Sequence, residues 1–206
     1  MLDTSTFIEG LLLGAGLFTS VGPKDAFVIK RSLTSDHLFP IAIVCAGSDA
    51  LLIALGASGF AAFLARMPTL SAIAMWAGIA YLAGYGLLAL RAAVRGAQHA
   101  DIAQTTANHS LAHTLLATAS VSLLNPYAWI DTVLVVGSLT ANRADGLRWP
   151  FALGAITASL VWFLCLAYGS RACRALFARA SAWRALDAFV AIMMLGVATH
   201  LVAENL

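Results

Sequence analysis

Residues 20–31 read SVGPKDAFVIKR. Gly22-Pro23 ends one apolar run, Lys24 and Asp25 follow at once, and Ala26-Phe27-Val28-Ile29 is apolar again. Proline has no backbone N–H, and its ring clashes with the carbonyl four residues back, so it starts helices rather than continuing them. The stretch therefore predicts a helix broken at Gly22-Pro23, with two opposite charges at the break.

The surroundings make that break informative. Of the 206 residues, 61% are hydrophobic and 11% are charged. A soluble domain carries about 25% charged residues. With a mean hydropathy of +0.86, the composition is that of an integral membrane protein. The net charge of +2 comes with no basic tract, which argues against a nucleic-acid partner. Met1-Leu2-Asp3-Thr4-Ser5 lacks the positive region of a signal peptide, so the first apolar segment is expected to stay as a span. Cys45, Cys165 and Cys173 form no CxxC and read as small apolar residues.

Six apolar segments can be marked, at roughly 7–33, 39–65, 70–90, 111–141, 149–170 and 185–203. About 20 helical residues cross the hydrocarbon. The first and fourth segments are longer than that, and each holds a proline break: Gly22-Pro23 and Asn125-Pro126. Such a break survives at membrane depth only where protein or water satisfies the freed backbone groups. The polar connection 91–110 divides the chain into halves of about 1–90 and 111–206 within one transmembrane domain, 1–206.

The halves show faint self-similarity. A shift of 110 pairs Pro40 with Pro150, Ala42 with Ala152, Gly59 with Gly169 and Gly86 with Gly196. A shift of 106 pairs Asp25-Ala26-Phe27-Val28 with Asp131-Thr132-Val133-Leu134. The shared order, a broken segment and then two plain spans, is the better argument. Three spans per half put the halves in opposite orientations, which is the inverted-repeat plan of many secondary transporters. The expected fold class is thus all-α, with about six transmembrane helices in two inverted three-helix repeats. With Lys24 set aside as intramembrane, Lys30, Arg31, Arg91, Arg95, Arg171, Arg174, Arg179 and Arg184 fall after odd-numbered segments, against Arg66, Arg143 and Arg148 on the other side. The positive-inside rule then places the first set in the cytoplasm and both termini outside.

Lys24, Asp25, Asp49 and Asp131 lie inside or beside the segments. Each would cost about 2.5–3.5 kcal/mol at a lipid-facing helix centre. They must face the protein interior, water or one another. A structural ion-pair network is the plain reading; a cation or proton site is the functional one. A half-helix beginning after Pro23 or Pro126 also points free N–H groups and a positive dipole end inward, where an α-carboxylate could sit. The nearby acids could take an α-amino group or a cationic side chain, so a free amino acid meets both demands. The candidate substrate-binding residues are Gly22, Pro23, Lys24, Asp25, Asp49, Asn125, Pro126 and Asp131.

Other features have plainer readings. Gly10, Gly14, Ala15 and Gly16, and likewise Gly78, Ala83, Gly84 and Gly86, suit close helix packing. Glu9 reads as interfacial. His109 and His113 stand four apart but show no third ligand, so neither a metal nor a cofactor is expected. Trp76, Trp129, Trp149, Trp162 and Trp183 read as packing or belt residues.

These residues also resemble a known family. GLLLGAGLFTSVGPKDAFVIKRSL, SDALLIALGASG, WAGIAYLAGYGLLAL, LLNPYAWIDTVLVVGSL and ALGAITASLVWF are similar to the first five segments of the LysE/ArgO basic amino acid exporters. The resemblance implies a multi-pass exporter of L-lysine, L-arginine or close analogues in the bacterial inner membrane. It implies a transporter rather than an enzyme, with no catalytic residues, driven by the proton motive force. The implied partners are an amino acid, protons and the bilayer, and a homo-oligomer is compatible with this. One departure stands in the opening stretch: the family's usual Gly-Pro-Gln-Asn-Ala is here Gly22-Pro23-Lys24-Asp25-Ala26. Lys24 is expected to find an acid, either Asp25 across the break or Asp49 or Asp131. It could then occupy the place of a basic substrate's cation.

Three rivals follow. One is an exporter of neutral amino acids or another small solute. Another is a membrane thiol or electron carrier, which would need reactive cysteines beside the proline breaks; neither break has one. The third is a structural scaffold.

Overall fold

The computed structural model describes residues 3–19, 21–58, 60, 66–95, 110–123, 128–175 and 179–204. Among these residues the chain is all helical, with eight α-helices and one π-helical segment. In order they are α1 (Thr4–Phe18), α2 (Pro23–Thr34), α3 (Leu38–Ala57), α4 (Pro68–Arg95), α5 (Leu111–Leu123), the π-helical segment (Trp129–Val136), α6 (Gly137–Ala141), α7 (Asp145–Ala172) and α8 (Ala180–Glu204).

Among the described residues, four helices are long and apolar enough to cross a membrane: α3, α7, and the stretches Met75–Arg95 of α4 and Ser181–Ala203 of α8. Leu88, Val161 and Ile192 stand exposed on three of them, as expected of a lipid-facing surface. α1 and α5 are apolar but shorter, at 15 and 13 residues. At about 1.5 Å per residue neither spans a hydrocarbon layer of about 30 Å alone. α4 and α7 run a few residues beyond the apolar segments, with Arg95 and Arg171 in their last turns and Asp145 in the first turn of α7, where each charge suits the helix dipole.

The first break falls where the sequence puts it. α1 ends at Phe18, Thr19 caps it through its N–H to the Ala15 carbonyl, and α2 begins at Pro23. Gly22 is the extended N-cap. Near the second proline break of the sequence, α5 is described to Leu123 and helix is described again from Ala128, and the Trp129 indole N–H donates to the Leu123 carbonyl at 2.7 Å. Asn125 and Pro126 lie outside the described residues.

The long helices pack in a regular scheme. α1 and α2 lie along α7; α5, the π-helical segment and α6 lie along α3; α3 crosses α7; α4 pairs with α8. Glycines permit the closest crossings. A Cβ on Gly10 would sit 2.1 Å from the Phe151 carbonyl oxygen, and one on Gly154 would sit 2.1 Å from that of Phe7, so α1 and α7 touch backbone to backbone. Gly56 of α3 meets Gly137 of α6 in the same way. On α4, Gly86 packs against Leu195 and Met194 of α8. Gly16 and Gly84 have nothing nearby, so the small-residue surfaces of the sequence are used only in part.

α2 is the hub. Val28 joins Ile41, Ala42, Cys45, Phe163 and Ala167 in a buried cluster with α3 and α7. Ala26 joins a second with α4 and α8, while Ile29 and Leu33 pack on Trp183. A 12-residue helix enclosed on several sides can hold charges away from lipid.

Candidate functional site

The site begins at the first turn of α2, where Pro23, Lys24 and Asp25 are the first three helical residues. An acid suits that position because the helix N-terminus is its positive end. Asp25 uses it fully: Oδ2 accepts the Gly22 N–H at 2.7 Å and Oδ1 accepts the Trp162 indole N–H at 2.8 Å. A cation one residue earlier gains nothing from its own helix, so Lys24 has to be understood from what its side chain reaches.

Lys24 reaches across to α3. Its ammonium donates to Asp49 Oδ1 at 2.6 Å and to the Cys45 carbonyl at 3.1 Å. The Phe163 ring lies beneath it, 4.4 Å from Nζ to the centroid. The other Asp49 oxygen accepts the Ser159 hydroxyl at 2.6 Å. Both charged side chains are buried, at 8% and 3% exposure, so this pair is sheltered from the screening that weakens surface ion pairs. Cys45 is buried beside it, and its sulfur accepts the Ser122 hydroxyl of α5 at 3.7 Å. The three cysteines are all free.

The structure thus brings together Gly22, Lys24, Asp25 and Asp49 of the sequence candidates, with Pro23 opening the helix that carries two of them. Lys24 pairs with Asp49 and makes no hydrogen bond to its neighbour Asp25, because adjacent helical residues do not face each other. Asp131 falls in the π-helical segment. Such segments widen a helix locally and recur at functional sites. Asn125 and Pro126 lie outside the described residues.

Sequence reading missed several partners. Ser159, Trp162 and Phe163 share one face of α7 at spacings of three and four, and Trp162 is a hydrogen-bond donor to Asp25 rather than only a packing or belt residue. Thr114, Thr118 and Ser122 form a buried hydroxyl stripe on α5. Asp187 is a further buried acid, paired with Lys30 at 2.9 Å. Arg31 donates to Thr114 at 2.6 Å. Lys30 and Arg31 therefore belong to α2 and turn toward α8 and α5, instead of standing in a connection as the orientation argument assumed. Glu9 is held by Arg143 at 2.8 Å.

A multi-pass helical membrane protein with a buried, cross-helix charge cluster at a broken helix has the form of a solute carrier. Comparison with known sequences agrees. The chain belongs to the family of LysE type translocators, whose model matches residues 15–205. It is a transporter, not an enzyme. It is 36% identical over 202 residues to "Putative amino-acid transporter YggA" of Aeromonas salmonicida, covering 98% of each chain. It is 37% identical over 182 residues to the similarly titled Rv0488 of Mycobacterium tuberculosis and Mb0498 of Mycobacterium bovis, covering 88% of this chain and 89% of each relative. No solved structure matches the chain.

Proposed function

We infer that this translocator exports amino acids across the bacterial inner membrane, with L-arginine or L-lysine as cargo and the proton motive force as energy source. The observation that carries the reading is the buried Lys24–Asp49 pair at the N-terminus of α2, in a chain whose relatives are named as amino-acid transporters. Gly22, Pro23, Lys24, Asp25 and Asp49 are the substrate-binding residues of this reading, and Asn125, Pro126 and Asp131, at the second proline break of the sequence, are its further candidates. Ser159 and Trp162 orient the acids, and Phe163 lies beneath the Lys24 ammonium. Carboxylates in such a site exchange a substrate cation for a proton. Pumping a singly charged amino acid out of a negative-inside cell costs about 2.3 kcal/mol per 100 mV, and a one-for-one proton exchange cancels that charge movement.

The packing scheme supports two inverted three-span halves that alternate access. Pairing the first broken segment with α7 and the second with α3, with α3 on α7 and α4 on α8, is what a two-fold relation between halves would produce. Six crossings follow if α1 with α2, and α5 with α6, each make one broken span. With Lys30 and Arg31 withdrawn into the protein, the remaining arginines in and near the connections, Arg91, Arg95, Arg171, Arg174, Arg179 and Arg184 against Arg66, Arg143 and Arg148, still favour periplasmic termini.

The test is export from cells loaded with dipeptides of lysine, arginine and neutral amino acids. Asp49→Asn and Asp131→Asn, correctly inserted, should each lose most export of the basic residues. Wild-type rates in both would sink the mechanism. A second reading, export of neutral amino acids, is favoured by one observation: Lys24 already fills the cation position beside Asp49. Competition between basic and neutral amino acids separates the two.

A further inference from the structure

The Lys24 ammonium is seated as a ligand would be. Its seat has a carboxylate (Asp49), a backbone carbonyl (Cys45) and an aromatic face (Phe163), three kinds of group that recognise a compact cation. None of them comes from α2. The carboxylate and carbonyl belong to α3, and the ring and the Ser159 hydroxyl that steadies Asp49 belong to α7. α3 and α7 pack on each other directly, and Cys45 and Phe163 lie in one buried apolar cluster with Ile41, Ala42 and Ala167. The walls are therefore built by helices that do not depend on the Lys24 side chain, and only the occupant is supplied by α2.

We propose that this seat is an alkylammonium subsite of the carrier, filled in the substrate-free state by Lys24 as a tethered occupant. A substrate with a primary ammonium on a flexible side chain must displace Lys24 to use it. The proposal rests on the reading of this cluster as the substrate site. It adds the ligand class and a reason for a lysine where the helix itself favours an acid. A tethered group competes at an effective concentration in the millimolar range, so removing it should raise the apparent affinity for a free alkylammonium about tenfold or more.

The test uses the full-length protein purified in detergent, with n-butylammonium chloride as probe and sodium and tetramethylammonium chloride as ionic controls. Lys24→Ala should show a saturable rise in Tm, on the order of 3 °C at ten times Kd, with butylammonium only. Wild type should show at most about a third of that rise at the same concentration, and Lys24→Ala/Asp49→Asn should show none. No rise in Lys24→Ala, an equal rise in wild type, or a rise that survives Asp49→Asn overturns the proposal. Recovery of folded Lys24→Ala in butylammonium but not in sodium chloride supports it equally. If that variant is recovered in neither, Lys24→Gln takes its place, and absence of the same saturable rise there overturns the proposal. Binding in detergent needs no export, so this result and arginine export from loaded cells can fail independently.

Discussion

Lys30 on α2 and Asp187 on α8 lie 2.9 Å apart, nitrogen to oxygen, with the aspartate buried and the lysine half-buried. The pair ties the hub helix to the helix that packs on α4. Asp187→Asn should lower stability by about 1–3 kcal/mol, less than a fully buried pair would lose because water still reaches Lys30. The reversed pair, Lys30→Asp with Asp187→Lys, should recover at least half of that. Thermal unfolding in detergent gives the double-mutant cycle; a coupling indistinguishable from zero would show that the contact holds nothing.

Lys24 and Asp49 should respond more steeply. Lys24→Met leaves the Asp49 carboxylate buried with the Ser159 hydroxyl as its hydrogen-bond partner among the described residues. Removing one partner of a buried pair costs about 3–5 kcal/mol, whereas replacing both by apolar groups is far milder. Lys24→Met with Asp49→Leu should therefore be more stable than Lys24→Met alone and should lose export entirely. Chemical denaturation and dipeptide-loaded export read the two effects separately. A double variant no more stable than the single one would refute the expectation.

Trp162→Phe keeps a smaller aromatic ring and deletes the donor 2.8 Å from Asp25. A hydrogen bond to a charged group is worth about 1.5–3 kcal/mol. Asp25 keeps the Gly22 N–H, so a loss near the lower end is expected in thermal unfolding. In an Asp25→Asn background the same substitution should cost clearly less. Equal costs in both backgrounds would separate Trp162 from Asp25.

Two glycines that look alike in sequence should behave oppositely. A Cβ on Gly137 would sit 2.4 Å from the Gly56 Cα, against backbone that cannot rotate away. Gly137→Ala should cost about 1–3 kcal/mol or more by overpacking. Gly47, also on α3, has nothing within 4 Å, so Gly47→Ala should gain about 0.5–1 kcal/mol from helix propensity. Melting temperatures of the two variants, moving in the same direction, would contradict the described crossing.

The sequence by itself determined the membrane class, the helical content and the break before α2. Composition leaves no soluble alternative, and Gly22-Pro23 acts on its own backbone, so no distant residue is needed to place the start of a helix there. It also named Lys24, Asp25 and Asp49, because charges in a 61% hydrophobic chain are few and costly enough to stand out. Ser159, Trp162 and Phe163 gave no comparable signal. A serine or an aromatic on an apolar helix costs little anywhere, and only the crossing of α7 over α3 and α2 turns that face toward the charges. Lys30, Arg31 and Asp187 were misread or passed over for a related reason: near the end of an apolar run a charge can turn to water or to a neighbour. Which acid receives Lys24 was likewise open along the chain. Tertiary structure decided it, because a lysine stem can reach any of several carboxylates and packing alone selects the one within 2.6 Å.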